Sequence, residues 1–500
     1  MKQLIHRLGE HAESVEVINP ATGTVAYTLP QFSYDAVRGV AAEARAAASD
    51  WAAVGVRERS SVLLKLHDLM IEHEANLLDL IQFETGKSRA SAFEDYAGAL
   101  FAARHYGKRA PKILGLKTMR TDAPLFVRNY VDYPPVGVVG VITPWNFPLA
   151  LPAFDVLPAL AAGNTVVHKV DNQVALSGLY LRQLAEDAGL PRGVWNVVVG
   201  SGADAGNAVT DSVDYVAFTG STATGRLVAE RAAKRLIGCS LELGGKNPAI
   251  VLPDANLARA AEIVVAGAVG NAGQICVSLE RCFVPEHQVE EFVSALETQI
   301  GALRYGQTHQ FDTEMGSLTS AAQLKRVLRM LGEARDAGLR VIGGNARTDV
   351  GPFFIEPAIV VEPTDAVSLN RGEVFGPVIQ VYGYQSIDEA VDRANDTEFG
   401  LNASVIGPMP LALEVSRRLQ AGSVNINEGY RASFGSMASP MGGVKQSGQG
   451  RRNGDGGLLR FTEPKAIGVA SNFLKLPTRA EHWRVISRVL IVLSKALRRI

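Results

Sequence analysis

The chain has 500 residues, of which 47% are hydrophobic and 20% charged, an ordinary globular composition over more length than one hydrophobic core supports. Fifty Lys and Arg residues against 51 Asp and Glu residues exclude a chain-wide electrostatic footprint for nucleic acid. Three cysteines exclude a disulfide framework and suit a reducing compartment, and the N-terminal segment lacks the apolar core of a signal peptide. The sequence therefore predicts a multidomain cytoplasmic protein without a nucleic-acid partner.

Hydrophobic periodicity predicts helices in the first third of the chain. Residues 35–53 are rich in alanine, and residues 60–86 carry apolar side chains every three or four positions. The apolar run 136–142 follows two prolines and is typical of a strand buried on both faces. Apolar strands then alternate with helical patterns up to residue 243, which predicts a doubly wound α/β sheet. A second alternating section, from about 247 to 440, predicts a second α/β domain.

Two residues suggest covalent chemistry. Cys276 ends the stretch GNAGQIC, and Glu242 lies 34 residues upstream in ELGGKNP. If the Cys276 thiol is a nucleophile and the Glu242 carboxylate activates water beside it, the pair could carry out acyl transfer. The alternative is that Cys276 only packs in the core, as lone cysteines commonly do. Asn146 stands between two prolines in PWNFP, where its amide either donates to an oxyanion or caps the following helix.

Two glycine-bearing turns suggest phosphate binding. Gly200 and Gly220 each end an apolar strand and open a helix, a setting in which backbone N–H groups face an anion. Neither turn is a G-x-G-x-x-G fingerprint, so tight strand-to-helix turns remain an equal alternative.

Seven motifs in order resemble the aldehyde dehydrogenase superfamily. They are PWNFP, AAGNTVVHK, FTGSTATG, LELGGKNP, GQIC, EVFGPV and PMGGVKQSG, spread over roughly residues 15–468. The subgroup that the chain is most similar to is that of bacterial type-2 succinate-semialdehyde dehydrogenase-like proteins. The resemblance implies the α/β aldehyde dehydrogenase fold, with a Rossmann-like cofactor domain, an α/β catalytic domain and a small β oligomerisation element. The implied boundaries are 1–116 and 136–243 for the cofactor domain, 244–445 for the catalytic domain, 117–135 and 446–472 for the oligomerisation element, and 473–500 for a C-terminal helix.

The resemblance also implies site roles. Cys276 attacks the aldehyde carbon, the Asn146 side chain and the Cys276 backbone N–H hold the oxyanion, and Glu242 activates the water that hydrolyses the thioester left after oxidation. The residues implied to bind the dinucleotide are Thr143, Pro144, Trp145, Lys169, Asn172, Gly200, Gly220, Ser221, Thr224, Leu243, Glu373 and Phe375. No metal is predicted, because no histidine or acidic cluster has a metal-ligand spacing.

The chain departs from the family pattern at two positions outside the substrate pocket. Asn172 stands where NAD-preferring members commonly have a glutamate, so we expect NADP to be accepted as well as NAD. Asp155 stands where many members place a lysine that supports proton relay, and a charge on a helix surface is an equally good interpretation of it.

The substrate is predicted from a third departure. Phe154 and Gly270 occupy positions where the main succinate-semialdehyde dehydrogenases carry arginines, so Phe154 and Ile275 predict a pocket for an apolar or aromatic aldehyde. Succinate semialdehyde, from the subgroup resemblance, is the alternative substrate. A non-catalytic binding protein that has kept the fold and a thiol esterase are the rivals from other classes.

The last thirty residues extend beyond the family pattern. Basic residues accompany an apolar series at helical spacing, with no acidic residue after Glu481. The apolar series is Trp483, Ile486, Leu490, Leu493, Leu497 and Ile500, and the basic residues are Arg484, Arg488, Lys495, Arg498 and Arg499. Such a helix either docks on the protein or a neighbouring subunit, or lies on an anionic membrane surface through residues 483–500. The family resemblance implies a homodimer or homotetramer.

Overall fold

The protein is described by a computed structural model over residues 2–9, 11–472, 474 and 476–498. The strands are β1 Glu13–Ile18, β2 Val25–Gln31, β3 Lys117–Met119, β4 Val127–Asp132, β5 Val138–Ile142, β6 Thr165–Lys169, β7 Trp195–Val198, β8 Tyr215–Thr219, β9 Gly238–Glu242, β10 Asn247–Val251, β11 Leu279–Pro285, β12 Arg340–Gly343, β13 Ala358–Val361, β14 Val378–Tyr384, β15 Asn402–Ile406, β16 Ser423–Ile426, β17 Gly448–Gln449 and β18 Lys465–Ala470. The helices are α1 Lys2–His6, α2 Tyr34–Ala53, α3 Val56–Glu72, α4 Glu74–Thr85, α5 Arg89–Ile113, α6 Ala150–Ala162, α7 Ala175–Asp187, α8 Asn207–Ser212, α9 Thr222–Lys234, α10 Leu257–Val269, α11 Val289–Gly301, α12 Ala321–Asp336, α13 Ser368–Arg371, α14 Ile387–Asn395, α15 Met409–Ser416, α16 Arg431–Phe434, α17 Gly454–Leu459 and α18 Trp483–Leu497.

The first large sheet has the strand order β17-β9-β8-β5-β6-β7. Strands β5 to β9 run parallel to their neighbours, and β17 closes one edge antiparallel. Every residue of β5 is buried, which confirms the prediction of a strand covered on both faces. Helix α6 is likewise buried along its whole length. The predicted alternation of strands and helices is therefore confirmed, and it builds a doubly wound α/β layer.

The second large sheet has the strand order β12-β13-β14-β11-β10-β15-β16 and is parallel except at β12. The two sheets pack mainly into separate hydrophobic cores. The chain passes from the first sheet to the second between β9 and β10, and Glu242 is the last residue of β9. The carboxyl end of β9 and the amino end of β10 therefore meet at the segment that carries this carboxylate.

A third, small sheet is antiparallel, with the order β18-β4-β3. It joins strands from the two segments expected to form the oligomerisation element, 117–135 and 446–472, and the strand of the second segment begins at Lys465. All residues of β18 are exposed, including the apolar Ile467 and Val469. This sheet thus has an apolar strand edge that the described chain leaves uncovered.

The N-terminal third differs in detail from the sequence prediction. The helices α2, α3 and α4 lie in the predicted segments, with a break at His73, and Gly86 follows the end of α4. The hairpin β1–β2 was not predicted. Most of its residues are exposed or half-buried, so the hydrophobic alternation that signals a strand is weak there.

Helix α18 confirms the helical spacing of the tail. Its principal neighbour is the turn Ala480–His482 directly before it. Val485, Ile491 and Val492 are 55–66% exposed. Arg499 and Ile500 lie outside the described residues. In the described part of the chain, no helix has the length and apolar character that crossing a bilayer requires.

Candidate active site

Cys276 lies in the connection between α10 and β11. Ahead of it, Asn271 and Ala272 adopt the left-handed conformation with φ of 49° and 53°, which costs energy for residues other than glycine. At Gly273 a Cβ would overlap the backbone of Gly376, so only glycine fits there. The Asn247 side-chain amide donates to the Cys276 carbonyl at 2.8 Å. The backbone that carries the thiol is therefore held from both sides.

Asn146 lies close to this connection and is 4% exposed. Its Nδ2 donates to the Gln274 carbonyl at 3.0 Å, and because an amide nitrogen has two hydrogens, one donor is left over. The alternative that Asn146 caps the next helix is wrong, because α6 has Leu149 at its N-cap position. Asp95 of α5 accepts from the backbone N–H groups of Leu149 and Ala150 at 3.2 and 2.7 Å. The Asn146 amide is thus free of a capping role.

Glu242 is 4% exposed, and neither of its carboxylate oxygens has a hydrogen-bond partner within the described chain. Burial raises the pKa of this carboxyl to about 7, against the opposing charges of Arg452 and Arg460. Burial, together with Glu373 and Glu242, raises the pKa of the Cys276 thiol to about 12. The thiol is therefore protonated near neutral pH, and Glu242, in the same cavity, has the pKa near neutrality that suits a general base.

Asp155 is not a surface charge, and that interpretation is wrong. It is wholly buried because α6 is buried on all sides. Arg452 forms a forked ion pair with both of its oxygens, with Nε at 2.9 Å, and Arg460 donates to it as well. Arg452 also donates to the Thr219 hydroxyl in the cavity wall. Its positive charge lowers the pKa of Glu242, so this buried cluster counteracts part of the effect of burial.

Most residues predicted to bind the dinucleotide lie along the carboxyl edge of the first sheet, whereas Glu373 and Phe375 come just before β14 of the second sheet. Those that line the cavity with Cys276 are Pro144, Trp145, Gly220, Ser221, Leu243, Glu373 and Phe375. Ser221 is the N-cap of α9, and its hydroxyl accepts from the Thr224 N–H at 3.2 Å. Glu373 accepts from the Gly245 N–H at 2.9 Å, while Trp145 and Phe375 meet edge to face at 5.6 Å.

The other predicted dinucleotide residues follow neighbouring strands. Thr143, Lys169 and Gly200 lie at or just after the carboxyl ends of β5, β6 and β7, the edge where doubly wound sheets bind ligands. Asn172 joins two loops, because its Nδ2 donates to Gln31 at 2.9 Å and its Oδ1 accepts from the Gly200 N–H at 3.0 Å. Asn172 is thus uncharged, unlike the glutamate expected at this position in NAD-preferring members, and its hydrogen bonds hold the two loops together.

Comparison with known proteins decides the family. Residues 7–467 match the sequence profile of the Aldehyde dehydrogenase family. The chain belongs to the aldehyde dehydrogenase family. A Mycolicibacterium smegmatis relative, named "Putative succinate-semialdehyde dehydrogenase (NADP(+))", is 44% identical over 89% of this chain and 87% of its own length.

Solved structures agree with this assignment. An NAD-dependent aldehyde dehydrogenase from Sinorhizobium meliloti superimposes with a TM-score of 0.89 at 33% identity, over 94% of both chains. Aldehyde dehydrogenase C from Pseudomonas syringae, solved as a mutant with NAD+ and octanal, gives a TM-score of 0.86 at 34% identity, over 91% of this chain and 93% of that one. The predictions of the fold, of an NAD(P)-dependent aldehyde dehydrogenase and of NADP or NAD as cofactor are confirmed.

The substrate side of this aldehyde dehydrogenase differs from the prediction at Phe154. Ile275 lines the cavity as predicted, but Phe154 is fully buried and lies outside the wall. The Phe154 ring packs against Gly98 of α5 and edge-on against Phe434, with the two ring centres 5.5 Å apart. Phe434 therefore occupies the place in the wall that was predicted for Phe154. Phe101 is a further aromatic wall residue that the sequence did not single out.

Three polar wall residues were also missed. Glu94, Tyr430 and Arg431 line the same cavity as Cys276. Helical spacing could have indicated Glu94, because it lies on the same face of α5 as small and aromatic residues that line the cavity. Arg431 and Tyr430 lie in a short segment without periodicity, so nothing in the sequence pattern marks them.

Proposed function

We propose that this aldehyde dehydrogenase oxidises an apolar or aromatic aldehyde to its carboxylic acid with NAD(P)+, through a covalent intermediate on Cys276. The observation that carries the proposal is one cavity of about 410 Å³ that joins Cys276, Glu242 and Asn146 to aromatic and aliphatic walls. The apolar wall residues are Ala97, Phe101, Phe147, Leu151, Ile275, Phe434 and Met441. A cavity with such walls and few polar groups favours a substrate with an apolar body.

The chain's own residues supply the acid–base and covalent steps. Glu242 takes the thiol proton, and the Cys276 sulfur attacks the aldehyde carbon while the spare Asn146 N–H and the Cys276 backbone N–H donate to the oxyanion. NAD(P)+, when bound, would supply the acceptor for the hydride that the former aldehyde carbon must lose for the adduct to become a thioester. Glu242, having passed its proton to solvent, then removes a proton from the water that attacks the thioester carbon. The carbon–sulfur bond breaks, and the thiolate leaves with the carboxylic acid as product.

The residues around the cavity fit a dinucleotide. Trp145, Phe375 and the carboxylate of Glu373 surround the part of the cavity beside Cys276, where a nicotinamide riboside must lie for the reaction. Ser221, at the N-terminus of α9, is suited to the pyrophosphate, because backbone N–H groups and the helix dipole favour anions there. Lys169 is suited to the adenosine ribose, and an uncharged Asn172 does not repel a 2′-phosphate. We propose NADP as well as NAD on these grounds.

The test is an aldehyde panel with both cofactors. Hexanal, benzaldehyde and succinic semialdehyde are compared through kcat/KM, measured from the absorbance of the reduced nicotinamide. We expect hexanal or benzaldehyde to give the highest value, and failure to oxidise any aldehyde with either cofactor would refute the proposal.

Succinate-semialdehyde dehydrogenase is a second candidate function. It is favoured by Arg431, a cation in the wall of the substrate cavity, and by the name of the mycolicibacterial relative. A cation there offers an anchor for a distal carboxylate even though Phe154 and Gly270 carry none. A kcat/KM for succinic semialdehyde above that for hexanal would select this candidate.

We propose that the protein is cytoplasmic and forms a homodimer or homotetramer through the small sheet. The exposed apolar side chains of β18 support pairing with a second copy. Analytical ultracentrifugation should show a dimer or tetramer, and a monomer at micromolar concentration would contradict this.

The tail has two proposed locations. Docking of α18 on a neighbouring subunit covers its apolar residues, and the alternative is an anionic membrane surface that its basic residues attract. Truncation after Asn472 distinguishes them. Loss of the oligomer supports docking, whereas loss of co-sedimentation with anionic liposomes supports the membrane.

A further inference from the structure

One end of the substrate cavity carries an ion pair between two separate elements. Glu94 lies on α5 three, four and seven residues before Ala97, Gly98 and Phe101, so all four share the helix face that lines the cavity. Arg431 is the first residue of α16 and lines the same cavity. The side chains of Arg431 and Glu94 are 46% and 28% exposed, so water reaches the pair from the mouth of the cavity.

The contacts of this pair are specific. Arg431 Nε donates to Glu94 Oε1 at 2.6 Å, and the Tyr430 hydroxyl donates to Glu94 Oε2 at 2.9 Å. A Cβ on Gly270 would lie 2.7 Å from the Tyr430 hydroxyl oxygen, so the missing side chain at residue 270 leaves room for this contact. A guanidinium has five N–H donors, and Glu94 takes only one of them. Arg431 thus has donors to spare, but its charge is balanced by the carboxylate beside it.

Two residues carry the ionic charge of the cavity wall at this end, while Glu428, outside the wall, has a weaker electrostatic influence on Arg431. The other charged side chains in the wall are Glu242, Glu373 and Arg326. Arg326 donates to the Glu373 backbone carbonyl at 2.6 Å, which places it on the side of the dinucleotide residues. Away from that side the wall is apolar or small, so no further ionic side chain of the described wall offsets a change at Glu94 or Arg431.

We propose that Glu94 and Arg431 are a specificity-determining pair, in which Glu94 neutralises Arg431 and so disfavours aldehydes that carry a distal carboxylate relative to uncharged ones. This inference rests on the proposed aldehyde oxidation. A substrate carboxylate that approaches Arg431 also meets the Glu94 carboxylate, and like charges at short range repel. Removal of Glu94 leaves a cation whose donors match a carboxylate.

The test compares two aldehydes in four variants. The quantity is the ratio of kcat/KM for succinic semialdehyde to kcat/KM for hexanal, and the variants are Glu94→Gln, Arg431→Gln, Arg431→Lys and the double substitution of both residues by glutamine. We expect Glu94→Gln to raise the ratio roughly fivefold and Arg431→Gln to lower it by a similar factor, as for ionic contacts that water still reaches. The double variant should return toward the wild-type ratio, because it restores the charge balance.

Several outcomes separate this inference from its rivals. Arg431→Lys keeps the charge, so its ratio should stay within about twofold of wild type; a loss equal to that of Arg431→Gln would overturn the inference. An equal change of both aldehydes in Glu94→Gln and Arg431→Gln would show a purely structural role and overturn it too. Glu290→Gln, in an exposed ion pair with Arg340 away from the cavity, is the matched control and should leave the ratio unchanged. Wild-type protein that oxidises none of hexanal, benzaldehyde and succinic semialdehyde refutes the proposed function itself. If wild type oxidises both hexanal and succinic semialdehyde but the variants leave the ratio unaltered, only the role of the pair is refuted.

Discussion

Replacing Glu242 by glutamine should stabilise the protein at neutral pH while it lowers steady turnover. The carboxyl is buried without a hydrogen-bond partner among the described residues, and its pKa rises from 4.5 to about 7. Between these two pH values the folded state holds a proton that the unfolded chain has released. The free energy of unfolding contributed by this group therefore falls as the pH rises from 4.5 through 7, and it stays lower above pH 7.

The magnitude follows from the pKa of the buried carboxyl. At about 1.4 kcal/mol for each pKa unit, a rise from 4.5 to about 7 makes the ionised group destabilising by about 3 kcal/mol above pH 7. Glutamine has nearly the same shape and does not ionise. The difference in the free energy of unfolding between Glu242→Gln and wild type should therefore be about 2 to 3 kcal/mol larger, in favour of the variant, at pH 8 than at pH 5.

Urea unfolding at both pH values measures this change. The urea midpoint of the variant should exceed that of wild type by more at pH 8 than at pH 5. An equal difference between the two midpoints at both pH values would refute the reasoning. The same variant should release reduced nicotinamide in a burst that is slower than in wild type yet reaches one equivalent per site. Steady turnover should then fall on the order of a hundredfold or more, because water has lost its base.

Three further predictions concern single residues. Cys276→Ala should abolish aldehyde oxidation at an unchanged thermal midpoint, and full activity in that variant would remove Cys276 from the mechanism. Arg452→Met should destabilise the fold by about 3 kcal/mol, because it leaves the buried Asp155 carboxylate with Arg460 alone. It should also raise the pKa seen in the acid limb of the kcat/KM profile, because the Arg452 charge lowers the pKa of Glu242. A profile that shifts to lower pH would contradict the role assigned to the Arg452 charge. Asn172→Glu should raise the KM for NADP+ roughly tenfold and leave NAD+ within about twofold, since the new carboxylate repels the 2′-phosphate; equal changes for both cofactors would show only a disturbed loop.

Much of the fold, and the convergence of several site residues, was predictable for one physical reason, whereas the cofactor roles of those residues came from the family resemblance. Parallel strands buried on both faces leave continuous apolar runs in the sequence, and their carboxyl ends meet at one edge of the sheet. Residues that directly follow such runs, such as Lys169, Gly220 and Glu242, therefore converge without any knowledge of the tertiary contacts. The helical spacing of α18 was predictable for a similar local reason.

The rest depends on pairs that are far apart in sequence. Asp155 and Arg452 are separated by 297 positions, so no local pattern shows that one neutralises the other. Phe434 lines the cavity wall where Phe154 was predicted, and the reason is again a distant contact. Either ring satisfies the hydrophobic pattern, and only packing against Gly98 places Phe154 behind the wall. Charge pairs and second-layer packing were therefore beyond the reach of sequence periodicity.

Helix α5 links substrate choice to catalytic geometry through two adjacent residues. Glu94 faces the substrate end of the cavity, while Asp95 holds the first turn of α6 and, with it, the loop that presents Asn146. Shifts of this helix that reshape the cavity would also displace the oxyanion donor. Efforts to engineer a new substrate range are best directed at side chains whose exchange leaves this helix in place, such as Glu94 or Phe434, and a library that randomises Asp95 should yield mostly inactive clones.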